Sequence, residues 1–139
     1  MQVRELKSTD AEAVSKLINQ LTKNIVAPEL LVERIANLTK TENWQYFVVT
    51  EEEKIVGFGG LAWYDIPSKG KIGWVEEIVV DETERGKGIG KFLMAKILEF
   101  GKEQNLVRLE LTVSNPPAKH LYEKLGFETK PVEVMSRNY

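Results

Sequence analysis

The residues whose types and spacing could do chemistry begin at Arg85. Arg85 to Lys91 reads RGKGIGK, with Gly86, Gly88 and Gly90 alternating with Lys87, Ile89 and Lys91 just where a helical pattern starts. The first-turn N–H groups of a helix have no partner inside it, and the macrodipole adds partial positive charge there. Glycine lets backbone amides approach a ligand with no Cβ in the way. Arg85, Lys87 and Lys91 add formal charge at the same point, so the stretch reads as a cradle for a phosphate or pyrophosphate. Two familiar phosphate loops are excluded by spacing. A P-loop needs G-x-x-x-x-G-K-[ST], but Phe92 follows Lys91 and Arg85 stands five before Gly90. A dinucleotide fingerprint starting at Gly86 needs a glycine where Lys91 stands.

What remains is Arg85-x-x-Gly88-x-Gly90. A second stretch, Asn115 to Phe127, reads NPPAKHLYEKLGF. Together they resemble the R/Q-x-x-G-x-G/A acetyl-CoA signature and the following N-x-x-A-x-x-[LF]-Y-x-x-x-G-F segment of the GNAT N-acetyltransferase superfamily. The second is matched at Asn115, Ala118, Leu121, Tyr122, Gly126 and Phe127. The two occur in the family's order, separated by one helix and one strand. The resemblance covers Glu76 to Phe127 well and the N-terminal third only in pattern.

The resemblance implies one domain, residues 1–139, of the α+β (α/β) GNAT acyl-CoA N-acyltransferase fold: a mixed central sheet of about six to seven strands flanked by four helices. It implies direct transfer of the acetyl group of acetyl-CoA to a primary amine in a ternary complex, with no metal. Arg85 and the backbone of Gly86, Gly88, Ile89 and Gly90 would meet the pyrophosphate; Lys87 and Lys91 either join them or are solvated surface lysines. Ile78, Val79 and Val80, at the end of a central strand, would pair with pantetheine like an added strand and offer an oxyanion N–H. Tyr122 would protonate the departing thiolate. Asn115 would contact the pantetheine arm or only cap its helix.

The amine arrives as an ammonium and must lose a proton before attack. Glu76 and Glu77 are adjacent on the central strand, so they point to opposite faces. Relatives with such a pair use its first residue, or a water chain from it, as base, which maps to Glu76. A bulge would swap the faces and favour Glu77. Relatives with a glutamate base two residues earlier are not matched, because Trp74 stands there. The compact length tilts the acceptor toward a small molecule. Peptide or lysine amines are the alternative, as is a non-catalytic acyl-CoA-binding sensor.

These groups need a scaffold. Gln2 to Lys7 reads as a strand. A helix follows Ser8–Asp10 with a Val14, Leu17, Ile18, Leu21 stripe, and a second starts at Pro28 with Leu30, Leu31, Ile35 and Leu38. In the family such helices lie over the acceptor site. Trp44–Thr50, Ile55–Tyr64 and Lys71–Asp81 read as a meander, with Gly57, Gly59 and Gly60 marking a bulge or a close approach. A helix over Gly88–Lys102 and a strand over Leu106–Ser114 make a right-handed crossover, so the flanking strands run parallel. Asn115 caps a last helix, and one or two short closing strands are expected after Phe127, ending around Val132–Ser136.

The composition is that of a globular domain, 42% apolar and 29% charged. A net charge of −2 offers no field for nucleic acid or an anionic membrane. The absence of cysteine removes thiolate chemistry, and one histidine, His120, is too few for a His-based metal site. With no apolar leader segment the expectation is a cytoplasmic protein, and the resemblance allows a homodimer.

Overall fold

The runs WQYFVVTE and KIVGFGGLAWYDI pair as a hairpin because only Glu52 and Glu53 separate Glu51 from its partner Lys54. Both turn residues take positive φ, 47° and 67°, the geometry that matches a two-residue turn to the strand twist. The computed structural model describes residues 1–139. Its elements are β1 (Gln2–Glu5), α1 (Ala11–Leu21), α2 (Pro28–Leu38), β2 (Trp44–Glu51), β3 (Lys54–Ile66), β4 (Gly70–Val80), α3 (Ile89–Glu103), β5 (Arg108–Glu110) and α4 (Pro116–Lys124). Strand order in the sheet follows the chain, β1 to β5. Every pairing is antiparallel except β4 with β5, which the crossover through α3 makes parallel.

Alternation along the strands divides the core into two layers. On one face Tyr46, Val48, Phe58 and Val79 pack against Val14 and Leu17 of α1 and Leu31 and Ile35 of α2. On the other, Phe47, Val49, Leu61 and Val75 pack against Leu93, Met94 and Ile97 of α3 and Tyr122 of α4.

Val75 and Val79 are four apart on one strand yet lie in opposite layers, and a bulge is the reason. The β3–β4 ladder runs Gly57–Val80 and Phe58–Val79, then resumes at Gly60–Glu76. Glu77 and Ile78 therefore oppose Gly59 alone, and Glu77 takes φ 56°. Gly59 is needed because a Cβ there would sit 3.3 Å from the Ile78 Cα. At Gly60 a Cβ would lie 2.7 Å from Tyr46 Cγ and also strike the Gln45 carbonyl, so the Tyr46 ring lies directly over this glycine. Gly60→Ala is expected to destabilise the fold by about 3 kcal/mol, the upper end of ordinary overpacking, because the obstacle includes backbone. Urea melts test this, and an unchanged midpoint would refute the close contact.

Two carboxylates tie the scaffold to the site. Asp10 accepts two hydrogen bonds from the Arg4 guanidinium at 2.7 and 2.9 Å and a third from the Lys7 N–H at 2.8 Å, fixing β1 to the start of α1. Asp81 accepts from the N–H and hydroxyl of Thr83 at 3.0 and 2.9 Å and pairs with Lys54 at 3.1 Å. The Arg4 bonds hold Asp10 below the usual carboxylate range, and the Thr83 N–H does the same for Asp81. A depressed folded-state pKa means this stabilisation is fully present above the unfolded value, about 3.9, and is lost as pH falls through the folded values. Chemical denaturation between pH 6 and pH 2.5 should show it, with Asp10→Asn giving a shallower acid loss than the wild type.

The structure departs from the sequence reading at the C-terminal end. The sheet has five strands, not six or seven. The strand expected over Leu106–Ser114 is confined to Arg108–Glu110, and no strand forms after Phe127. Leu111–Ser114 has no neighbouring strand to pair with. Pro131 interrupts the tail, and Val132, Val134 and Met135 stand exposed, so their alternation finds no face to bury.

Candidate active site

The glycine turn stands just beyond the end of β4. Gly86 and Gly88 take φ 81° and 82°, a region L side chains rarely enter. A Cβ at either would meet no atom within 4 Å, so neither glycine is there for packing. Gly88 caps α3, and the first bond of that helix runs from the Phe92 N–H to the Gly88 carbonyl at 3.0 Å. No backbone N–H from Arg85 to Lys91 donates to any protein acceptor. A run of free amides thus faces open space at a helix start. Arg85 Nε donates to the Val80 carbonyl at 3.3 Å, holding that side chain at the strand end. The Lys87 ammonium pairs with the Glu84 carboxylate, and that bond raises its pKa. Lys91 is exposed.

Beside this turn the sheet opens. β4 pairs with β5 only at Ile72–Arg108, Gly73–Leu109 and Trp74–Glu110, whereas its ladder with β3 continues to Val80. The edge of Val75–Val80 that would face β5 has no strand partner, and it includes Ile78, Val79 and Val80. On the far side of the gap α4 begins at Asn115, whose Oδ1 accepts the Ala118 N–H at 2.9 Å. This carboxamide oxygen caps the helix. α4 is seated on the first turn of α3, since a Cβ at Gly90 would lie 3.6 Å from Leu121 Cδ2. Tyr122, 9% exposed, packs with Val75, Ile89 and Leu93 and meets Phe127 edge-on at 5.9 Å. Its hydroxyl makes no hydrogen bond to the protein and is not sealed off. Burial pushes its pKa up, so the phenol keeps its proton.

The opposite face of the bulge forms the floor of a second cleft, of about 660 Å³, between the sheet and the α1–α2 pair. Ile18, Leu31, Ile35, Tyr46 and Phe58 supply apolar walls, and Glu77 and Arg34 also line it. Glu76 is exposed and does not line this cleft. Glu77 is exposed as well but lines the cleft, where partial withdrawal from water raises its carboxyl pKa and the charge of Glu76 adds to the effect. Tyr46 stacks between Trp44 and Phe58, at 6.0 and 5.0 Å. Burial, then the charges of Glu76 and Glu77, raise its phenol pKa. The loop between the helices is held by Asn19, whose carboxamide accepts the Val26 N–H at 3.2 Å and donates to the Val26 carbonyl at 3.4 Å. Gln20 Oε1 accepts the Glu82 N–H at 3.0 Å, joining α1 to the turn ahead of the glycines.

The structure therefore brings the glycine turn, the open edge of β4 and Tyr122 together, and sets Glu77 on the other side of the same strand, two residues beyond Val75 of the Tyr122 cluster. Arg34 carried no sequence signal for the site. Tyr46 is an aromatic on a meander strand, a residue type that could line a pocket but is more often core, and it is its contact with Gly60 and Phe58 that sets it at the cleft.

The sheet thus parts beside a row of unengaged amides, with a cleft across the strand. The chain belongs to the acetyltransferase (GNAT) family, whose model it matches over residues 12–127, and is an acetyl-CoA-dependent N-acyltransferase. It is 32% identical to an N-alpha-acetyltransferase of Sulfurisphaera tokodaii, across 99% of this chain and 84% of that protein. It is 35% identical to an uncharacterised N-acetyltransferase of Methanocaldococcus jannaschii over 68% of this chain, and spans only 44% of that protein's length. The crystal structure of glucosamine-6-phosphate N-acetyltransferase from Arabidopsis thaliana superposes with a TM-score of 0.82 and 26% identity, covering 99% of this chain and 97% of that one. No helix is long and apolar enough to cross a membrane.

Proposed function

We propose that the protein moves the acetyl group of acetyl-CoA directly to a primary amine of a small molecule, both substrates being bound together. The observation that carries this reading is the row of unengaged amides from Arg85 to Lys91, opening beside the unpaired edge of β4. Free donors, left-handed glycines and a helix N-terminus fit a diphosphate. Arg85 and the amides of Gly86 through Lys91 would hold it, Ile78–Val80 would pair with the pantetheine amides, and the amino group of Asn115, which the cap leaves free, would face the same arm. Bound there, acetyl-CoA supplies an activated acyl group.

The chain's own residues then have two proton tasks. Glu77 takes a proton from the acceptor ammonium, and its raised pKa makes it a stronger base than an ordinary carboxylate. As the new C–N bond forms and the C–S bond breaks, a backbone N–H in the Ile78–Val80 segment donates to the carbonyl oxygen, Tyr122 gives its proton to the sulfur, and its phenolate takes the second proton that the acylated nitrogen must shed. Glu76, which does not line the cleft, would serve through a water chain. Tyr122→Phe is expected to lower kcat about tenfold or more while the acetyl-CoA Kd stays within twofold. An unchanged kcat would take Tyr122 out of the mechanism.

A small acceptor is supported by the cleft, whose volume falls within the range of small-molecule sites. A peptide amine is the second reading, favoured by the likeness to an N-alpha-acetyltransferase. Thiol release from acetyl-CoA with a panel of amines and peptides separates the two. Cofactor binding without turnover on any of them would point to a sensor. A homodimer is supported by the open edge of β5 beside a strandless tail, and sedimentation tests it.

A further inference from the structure

We propose that the acceptor is a zwitterion: a primary amine on an apolar body that also carries an anionic group, with the anion held by Arg34. This rests on the N-acetylation reading and specifies its substrate. Only two charged side chains line the α1–α2 cleft, Glu77 on the sheet and Arg34 on α2. Neither is in an ion pair, with each other or with any other residue, and neither makes a side-chain hydrogen bond. A carboxylate and a guanidinium thus face one cavity without neutralising each other.

Most of the remaining lining is apolar, Leu31, Ile35, Tyr46 and Phe58 included, with Thr22, Asn24 and Asn37 as neutral polar side chains. Charges beside such a lining interact more strongly with a ligand than they would in open water. The guanidinium presents a planar fork that suits carboxylate or phosphate in two-point contact. A ligand with an ammonium at one end and an anion at the other satisfies both side chains at once. An apolar middle matches Leu31, Ile35 and Phe58, against which sugar hydroxyls would lose their water partners. A polycationic amine fits poorly, because its further charges would meet Arg34.

The test uses the full chain and matched acceptors that differ only in the anion: phenylalanine with phenethylamine, leucine with isoamylamine, 5-aminovalerate with pentylamine, and phosphoethanolamine with ethanolamine. Initial rates of thiol release from acetyl-CoA give kcat/KM for each. The anionic member of at least one carbon-matched pair should be preferred tenfold or more. Which pair shows the preference tells carboxylate from phosphate and sets the spacing. Arg34→Gln should reduce that preference to near unity through the KM of the anionic member, with the acetyl-CoA KM reporting an intact fold. No preference in any pair, or a preference that survives both Arg34→Gln and Arg34→Glu, overturns the proposal. A kcat/KM for glucosamine 6-phosphate above that of every apolar amino acid overturns the apolar body. Turnover of polyamines alone sinks the zwitterion and leaves N-acetylation standing, whereas no thiol release with any amine sinks both.

Discussion

Glu77→Gln lowers kcat/KM for the amine by about 10²–10⁴-fold at neutral pH, the range by which a positioned general base accelerates proton transfer. Glutamine keeps the shape of the side chain and its place on the cleft floor but cannot accept the ammonium proton. The pH profile carries the sign. Glu77 has a raised pKa, so in the wild type the active, ionised form is lost as pH falls, at a pH above the ordinary glutamate value of about 4.3. That acidic limb disappears in Glu77→Gln. Glu76→Gln should change the rate by less than about threefold, because Glu76 does not line the cleft and acts at most through water. A larger loss from Glu76→Gln than from Glu77→Gln would move the base to the neighbouring residue.

Gly88→Val raises the acetyl-CoA KM about 100-fold, through two effects at one position. At φ 82° a β-branched residue costs on the order of 1–3 kcal/mol of backbone strain, which the turn can relieve only by moving its amides. Its methyl groups would also project into the space that those amides face, where no protein atom lies within 4 Å. Because nothing is struck, the fold survives, and circular dichroism with calorimetric titration of acetyl-CoA reads the loss of binding alone. Gly126→Val is the control. Its φ of 92° imposes similar strain, also without a clash, at the far end of α4. It should cost stability and leave KM alone. A folded Gly88→Val protein with wild-type affinity would remove the glycine turn from cofactor binding.

The turn and the order of the elements were legible in the residues because both are local. RGKGIGK must break from the strand, open its amides and start a helix, whatever surrounds it. The same holds for Asn115 ahead of two prolines, where the expected cap is present. The identity of the carboxylate facing the cleft was not local. Gly57, Gly59 and Gly60 announce a disturbance in β3, but which β4 residue is left over depends on the register between two strands, and register is settled by the packing of both layers. The tail failed for a related reason. Val132 and Val134 alternate as a strand should, yet alternation creates a strand only where an edge and a face await it. Arg34 lies on the exposed side of an amphipathic helix, where an arginine has no distinguishing feature until the cavity beside it is seen.

The extra residue in β4 makes the length of this segment matter at the cleft rather than in the core. Removing any single position between Val75 and Val79 would restore regular pairing with β3, with Val75 still opposite Leu61 and Val79 still opposite Phe58, and would erase the extra residue that the bulge holds. Val79 would keep its place beneath the helix pair, and the change would fall on the positive-φ position that sets Glu77 at the cleft. A one-residue deletion there is therefore expected to keep the two packed layers and alter only the cleft floor.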